Sequence, residues 1–302
     1  MISATILLSS CGLGGASDSV LLEADDAETV VNAAAEALQS APTGLGLVAQ
    51  TSMPTQAPSA LEHTLESLLP TAVASSGFCR NTATLTTCSN VGGKNLRTRS
   101  FDCSFGLRGA TASGQVQLEY SNASCLFSSV NSEIVRSVDL TLTGKRGREI
   151  QISSDVHADF RGESIGGGQK LVRTAANEAT LEILGMNRKL MGSNGQPLVD
   201  VSTRSLGTLQ LATGSVIGDL RVQDGRFEVI HNRAKFVTTW TASNLAWTTG
   251  CNCPTVGTLS ATLSGSKTGS LVLSFKDSCG VVDLTQNDQS PSEIVLDQCE
   301  QI

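Results

Sequence analysis

Apolar and polar residues alternate with a period of two over most of the chain after Cys79. The runs are Val116, Leu118, Tyr120; Val138, Leu140, Leu142; Leu209, Leu211; Leu220, Val222; Phe227, Val229; and Leu259, Ala261, Leu263. Side chains on a strand point alternately to its two faces, so this period predicts strands with one face packed and one wet. Between the runs stand turn signals: Ser113-Gly114, Lys145-Arg146-Gly147, Asn194-Gly195 and Asp224-Gly225. Asn-Gly and Asp-Gly supply the positive φ that two-residue hairpins need. The pattern predicts a mainly β protein, an antiparallel meander forming a sandwich or a rolled sheet, with a barrel also open. Residues 176–190 fit either a helical interruption or a broad strand, and 236–247 read as strand.

The first quarter reads differently. Val20, Glu23, Ala27, Val30, Val31, Ala34 and Leu38 fall close together at helical spacing, with Asp18 or Ser19 as cap. Glu23, Asp25, Asp26 and Glu28 crowd the early turns, where the helix dipole favours them. Pro42, Pro54 and Pro58 make 41–58 a linker. Ser59 caps a shorter helix from Ala60 to Leu69, which Pro70 ends. The expected organisation is residues 1–10 as signal peptide, 11–78 as tether and helical segment, and 79–302 as a disulfide-bonded β domain.

Composition changes the picture in two ways. Hydrophobic residues make up 40% of the 302, but aromatic residues only 4%, so the core is built from Leu, Val, Ile and Ala. An outer-membrane barrel, whose lipid-facing strands carry aromatic girdles, is disfavoured by that scarcity. The net charge of −7 disfavours a nucleic-acid partner, which needs clustered Lys and Arg. The one basic cluster, Lys145-Arg146-Gly147-Arg148, reads as a solvated hairpin turn.

Cysteine usage points to the compartment. There are nine: Cys11, Cys79, Cys88, Cys103, Cys125, Cys251, Cys253, Cys279 and Cys299. Without Cys11, eight remain, an even number suited to four disulfides and so to an oxidising compartment. Eight cysteines allow 105 connectivities. The hairpin turn Gly265-Ser266-Lys267-Thr268-Gly269 places Cys253 opposite Cys279, and a turn at Thr111–Gly114 places Cys103 near Cys125. Cys251 and Cys253 share a strand face. A metal site on Cys251, Cys253 and Cys279 lacks the second paired motif that structural zinc prefers.

Leu8-Ser9-Ser10-Cys11, after the apolar Ile6-Leu7-Leu8, resembles the lipobox of bacterial lipoproteins. The resemblance implies that Cys11 takes a diacylglycerol, becomes the first residue after cleavage, and is N-acylated with a fatty chain such as palmitate. Several acyl chains anchor stably where one anchors marginally. Gly12, in place of the aspartate associated with inner-membrane retention, implies the outer membrane, on its periplasmic or surface face. Residues 250–285, with Cys251-Asn252-Cys253-Pro254 and Cys279-Gly280, resemble a C-terminal hairpin of uncharacterised lipoproteins from predatory and related Gram-negative bacteria, which implies an envelope protein and no activity.

Candidate chemistry is sparse. Asp155, His157 and Asp159 alternate on what reads as one strand face, where two carboxylates and an imidazole suit a metal, with Glu163 and His231 as further donors. A metal-dependent hydrolase on this face is the alternative reading. No Gly-x-Ser-x-Gly elbow and no Cys-x-x-Cys is present. Gly162–Lys170 lacks the spacing of a phosphate loop, because Gln169 separates Gly168 from Lys170. Trp240 and Trp247 suit a core or half-buried sheet better than a sugar platform. Asn122-Ala123-Ser124 matches a glycosylation acceptor that a bacterial lipoprotein would not normally use. The expected function is therefore non-enzymatic: a membrane-anchored envelope lipoprotein with no cofactor, displaying a β-rich surface to a protein or glycan partner or serving in structural assembly.

Overall fold

The computed structural model describes residues 84–105, 110–143, 149–192, 194–213, 220–248, 251 and 253–296. The expected signal segment, tether and helices, the cluster at 145–148, and Cys11, Cys79 and Cys299 lie outside them. The described residues hold eighteen strands and no helix. In chain order these are β1 (Thr84–Leu85), β2 (Ser89–Val91), β3 (Lys94–Phe105), β4 (Ala110–Tyr120), β5 (Glu133–Thr143) and β6 (Glu149–Ser153). Then come β7 (His157–Ala158), β8 (Ser164–Ile165), β9 (Gly168–Ala175), β10 (Glu178–Met191), β11 (Pro197–Ser205) and β12 (Leu209–Thr213). The last six are β13 (Leu220–His231), β14 (Phe236–Trp247), β15 (Pro254–Gly265), β16 (Gly269–Phe275), β17 (Val281–Gln286) and β18 (Ser292–Val295).

Sixteen strands form one antiparallel meander, and β7 and β8 pair apart from it. Two lanes of the sheet are each shared by two strands. Between β5 and β10, β6 fills one end and β9 the other. Between β10 and β13, β11 and β12 divide the lane in the same way. The segment 154–167 leaves the sheet where β6 gives way to β9.

The alternating apolar positions fall on one face. Val116, Leu118, Tyr120, Val138, Leu140, Leu209, Leu211, Val222, Phe227, Val229, Leu259, Ala261 and Leu263 are all buried. One hydrophobic cluster reaches from Leu118 on β4 to Leu284 on β17, and a smaller one joins Phe101, Ala112, Val116, Val138 and Leu140. Phe227 and Trp240, partners across β13–β14, are both fully buried, with ring centroids 6.4 Å apart. Arg173 is buried too: its guanidinium donates to the carbonyls of Phe127, Ala175 and Ala176, fastening the β4–β5 loop to β9.

Two expected turns lie inside strands. Gly114 sits within β4 because a Cβ there would come 2.1 Å from the Asp139 carbonyl oxygen on β5. It serves close strand approach rather than a reversal. Asp224-Gly225 lies within β13, where a Cβ on Gly225 would press on Leu209 of β12 at 2.5 Å. The inward side changes from Val222 to Phe227 across this point, which is why the sequence reads there as two strands. Residues 176–190 resolve as the strand β10 after a turn at 176–177.

The disulfides correct both expected pairings. Cys251 joins Cys279, and Cys88 joins Cys125; Cys103 and Cys253 are disulfide-bonded as well. The Cys253–Cys279 expectation fails by two residues, because β15 begins at Pro254 and Cys251 forms its own bridge position ahead of it. The Cys103–Cys125 expectation rested on a turn at 111–114 that is strand. Cys103 instead faces Ala112 across β3–β4, and Cys125 sits in the loop after β4.

Phe227→Ala is expected to lower unfolding stability by about 3–5 kcal/mol, because a large buried side chain leaves a cavity. Thr241→Ala, at an exposed position of β14, should stay within about 0.5 kcal/mol. Urea denaturation midpoints compare the two. Replacing Cys251 and Cys279 together by serine opens a 28-residue loop and should cost about 2–4 kcal/mol in the same assay.

Candidate functional site

A dense polar arrangement lies on the face of the sheet opposite the main core, where 154–167 crosses β10, β11 and β13. Leu184 of β10 is an extra residue relative to β9, whose register jumps from Ile183↔Gln169 to Gly185↔Gly168. A one-residue bulge reverses which side chains face which side. Ile183 therefore points into the main core, whereas Gly185 and Asn187 point the other way. Gly185 lies directly under the crossing segment: a Cβ there would stand 2.2 Å from the Gly166 nitrogen and 2.6 Å from Ile165.

Ile165 and Phe160 of the crossing segment pack on Ile230 and Val237, a separate apolar cluster on this outer face. Polar contacts surround it. Asn232 accepts from the Phe160 N–H at 3.1 Å. Glu163 pairs with Arg204 of β11 at 2.7 Å, and Arg161 reaches Glu228 of β13 at 3.5 Å. Arg204 and Glu228 face each other across the ladder at 3.0 Å. Burial pulls the Arg204 guanidinium down, but Glu163 and Glu228 outweigh it and hold it above its ordinary value. The Asp159 side chain is fully buried and accepts from Arg161 Nε and from the N–H groups of Arg161 and Glu163. Burial pushes Asp159 up, yet the Arg161 side chain and those two N–H donors together keep it below the usual carboxylate range.

A second cluster adjoins this one. His157 Nε2 lies 2.7 Å from Ser202 Oγ, and its Nδ1 lies 2.9 Å from the Asp155 carbonyl oxygen. A carbonyl only accepts, so Nδ1 donates to it, and in the neutral form of the ring Nε2 is then the nitrogen that accepts the Ser202 hydroxyl. Ser202 Oγ in turn accepts from Asn232 Nδ2 at 2.9 Å and Asn187 Nδ2 at 3.2 Å. Both amides also donate to Asp200 Oδ1 at 2.9 Å, which fixes their orientation. The tautomer is the one a serine–histidine pair uses in nucleophilic catalysis. Ser202, however, is fully buried beneath the segment that carries His157, so the hydroxyl and an incoming carbonyl cannot meet while the pair is intact.

The expected metal face does not assemble. Asp155 and Asp159 flank the two-residue strand β7 rather than sharing its face; Asp155 is exposed and Asp159 is taken up by Arg161. His231 belongs to the opposite side of the sheet, stacked on Phe236 with centroids 4.1 Å apart. Among the described residues, no group of three or more His, Cys, Asp or Glu is placed to hold a metal ion. Cys251, Cys253 and Cys279 are all in disulfides and offer no thiolates. Gly162–Lys170 runs through a turn and β8 into β9, with no helix to complete a phosphate cradle. Trp240 and Trp247 are core residues, closed to a sugar ring at the surface. Asn122 is occupied within its loop by Leu126 and Ser124. Ser202, Asn187, Asp200 and Asn232 went unread in the sequence: they come from β10, β11 and the turn after β13 and form no linear motif.

Comparison with known proteins adds no assignment: no protein family, no curated protein and no solved structure matches the chain.

Two expected outcomes follow. Gly185→Ala should lower stability and raise hydrogen exchange in 154–167 first, since its Cβ collides with that segment's backbone; peptide-resolved exchange checks this. His231 is buried against Phe236 and its Nε2 has no hydrogen-bond partner. Burial pushes its imidazole down from 6.5 to about 4. The unfolded chain therefore takes the proton first. The contribution of neutral His231 is complete above the unfolded value and falls as pH drops toward about 4, by about 3 kcal/mol in total. His231→Leu should flatten this acid limb in denaturation midpoints measured at neutral and acid pH.

Proposed function

We propose that this protein is an exported lipoprotein, held to the outer membrane through Cys11, whose disulfide-bonded β body serves as a recognition or assembly surface rather than as an enzyme. The observation that carries the reading is the state of the cysteines: all six among the described residues are in disulfides. Persistent disulfides belong to oxidising compartments, and the lipobox-like Leu8-Ser9-Ser10-Cys11 supplies a matching route of export. The body is read as a rolled sheet. Support comes from the core cluster, which joins strands as far apart in lane order as β4 and β17. The net charge of −7 favours a protein or glycan partner over nucleic acid.

Intact and peptide mass spectrometry of the native protein from its own membranes, without reduction, tests this. The expected mature chain starts at Cys11 with added acyl mass, and Cys11→Ala should leave the membrane fraction. An unacylated Cys11, with free thiols at Cys88, Cys125, Cys251 and Cys279, would overturn the reading.

A further inference from the structure

We propose that the acidic N-terminal segment 18–39 docks on the core-facing side of the sheet across β3, β4 and β5, as a plug supplied by the chain itself. The case begins with an apolar cluster that lacks a second layer. Phe101, Ala112, Val116, Val138 and Leu140 are all buried, and Leu142, Ile152 and Met186 pack beside them. These residues occupy the adjacent lanes from β3 to β6 and β10 and share one face. A sheet buries a face only against another layer. Among the described residues, no other element contributes an apolar side chain to this cluster, whereas the main core draws on strands from β4 to β17. The layer that buries it comes from the rest of the chain.

Two features bring the N-terminal chain to this place. Cys103 belongs to the cluster and is disulfide-bonded, yet neither bridge between described residues includes it. Its partner is therefore one of Cys11, Cys79 and Cys299, and chain from outside the described residues is fixed covalently at this face. The second feature is the direction of β1. It runs antiparallel to β3 with Thr84 opposite Ser100 and Leu85 opposite Arg99, so the backbone leading into Thr84 comes from the Cys103 end.

Charge selects the segment. On the same face, Arg99 stands opposite Val116, Arg97 and Arg136 flank Leu118, and Arg188 stands opposite Ile152. No core-facing position of β3–β6, β10 or β11 carries Asp or Glu. Arg99 lies over the Phe101 ring at 5.6 Å, and its Nε is buried without a hydrogen-bond partner. Burial pulls its guanidinium below the ordinary value, and no carboxylate of the described residues offsets this. Cations withdrawn from water call for anions. The first 79 residues carry eight Asp and Glu and no Lys or Arg, and six of the eight fall within 18–39. That segment also carries the apolar series Val20, Ala27, Val30, Val31, Ala34 and Leu38, so as a helix it offers one apolar stripe to the cluster and carboxylates to the arginines around it. The shorter segment 59–69 has only Glu62 and Glu66 to offer. Belonging to the same chain raises the effective concentration of the plug at its site. Docking holds whether or not Cys11 is acylated.

Hydrogen exchange and photo-crosslinking of the full chain test the proposal. In the unsubstituted protein, peptides from 18–39 should be protected about tenfold or more relative to an unfolded chain. Arg99→Gln together with Arg188→Gln should lower that protection about fivefold or more while β14–β16 keep theirs. A benzophenone side chain in place of Leu142, half-buried beside the cluster, should crosslink within one chain to peptides from 18–39. Crosslinks to 59–69, to residues after 296 or to a second molecule would each overturn the proposal. So would exchange of 18–39 at the unfolded rate, or protection there that is indifferent to the two arginine substitutions.

Discussion

The molecule depends on the ladders of β10. This strand pairs with four others, β6 and β9 on one side and β11 and β12 on the other. At one end its inward residues Ala179, Leu181 and Ile183 belong to the main core. Past the bulge at Leu184, Asn187 faces outward instead and meets Asp200 and Ser202. A backbone displaced by one residue exchanges a core-facing surface for a polar one without leaving the sheet. Both neighbouring lanes are broken opposite this region. The crossing segment, the apolar satellite under it and the hydrogen-bonded cluster beside it all follow from that single irregularity.

The fold class was legible because period-two alternation is a direct imprint of one-sided burial. Val116, Leu118 and Tyr120, or Leu259, Ala261 and Leu263, needed no tertiary information. Glycine misled where its role was tertiary. Gly114 and Gly225 look like turn residues, yet each is placed to let a neighbouring lane come close. The same error carried into the pairing expected for Cys103 and Cys125, since a misplaced turn moves every residue beyond it to a new opposite number. Cys251, rather than Cys253, meets Cys279 because the bridge lies just outside the start of β15.

The polar cluster was half visible. His157, Asp159 and Glu163 stood out as titratable residues close together in sequence, and they do lie at one place in the fold. Their chemistry was not legible, because it is decided by partners from elsewhere. Arg161 claims Asp159, Arg204 claims Glu163, and Ser202 claims His157. A set of donors that could serve a ligand is spent on holding the segment down.

The divided lane between β5 and β10 carries one more implication. The chain enters it as β6, leaves, and returns as β9, while the two long strands on either side run past without interruption. Residues added to or removed from the excursion would leave every rung of those flanking strands in place. Diversity among descendants of this chain should therefore accumulate there, as changes in the length of a surface ornament, while the scaffold beneath keeps its register.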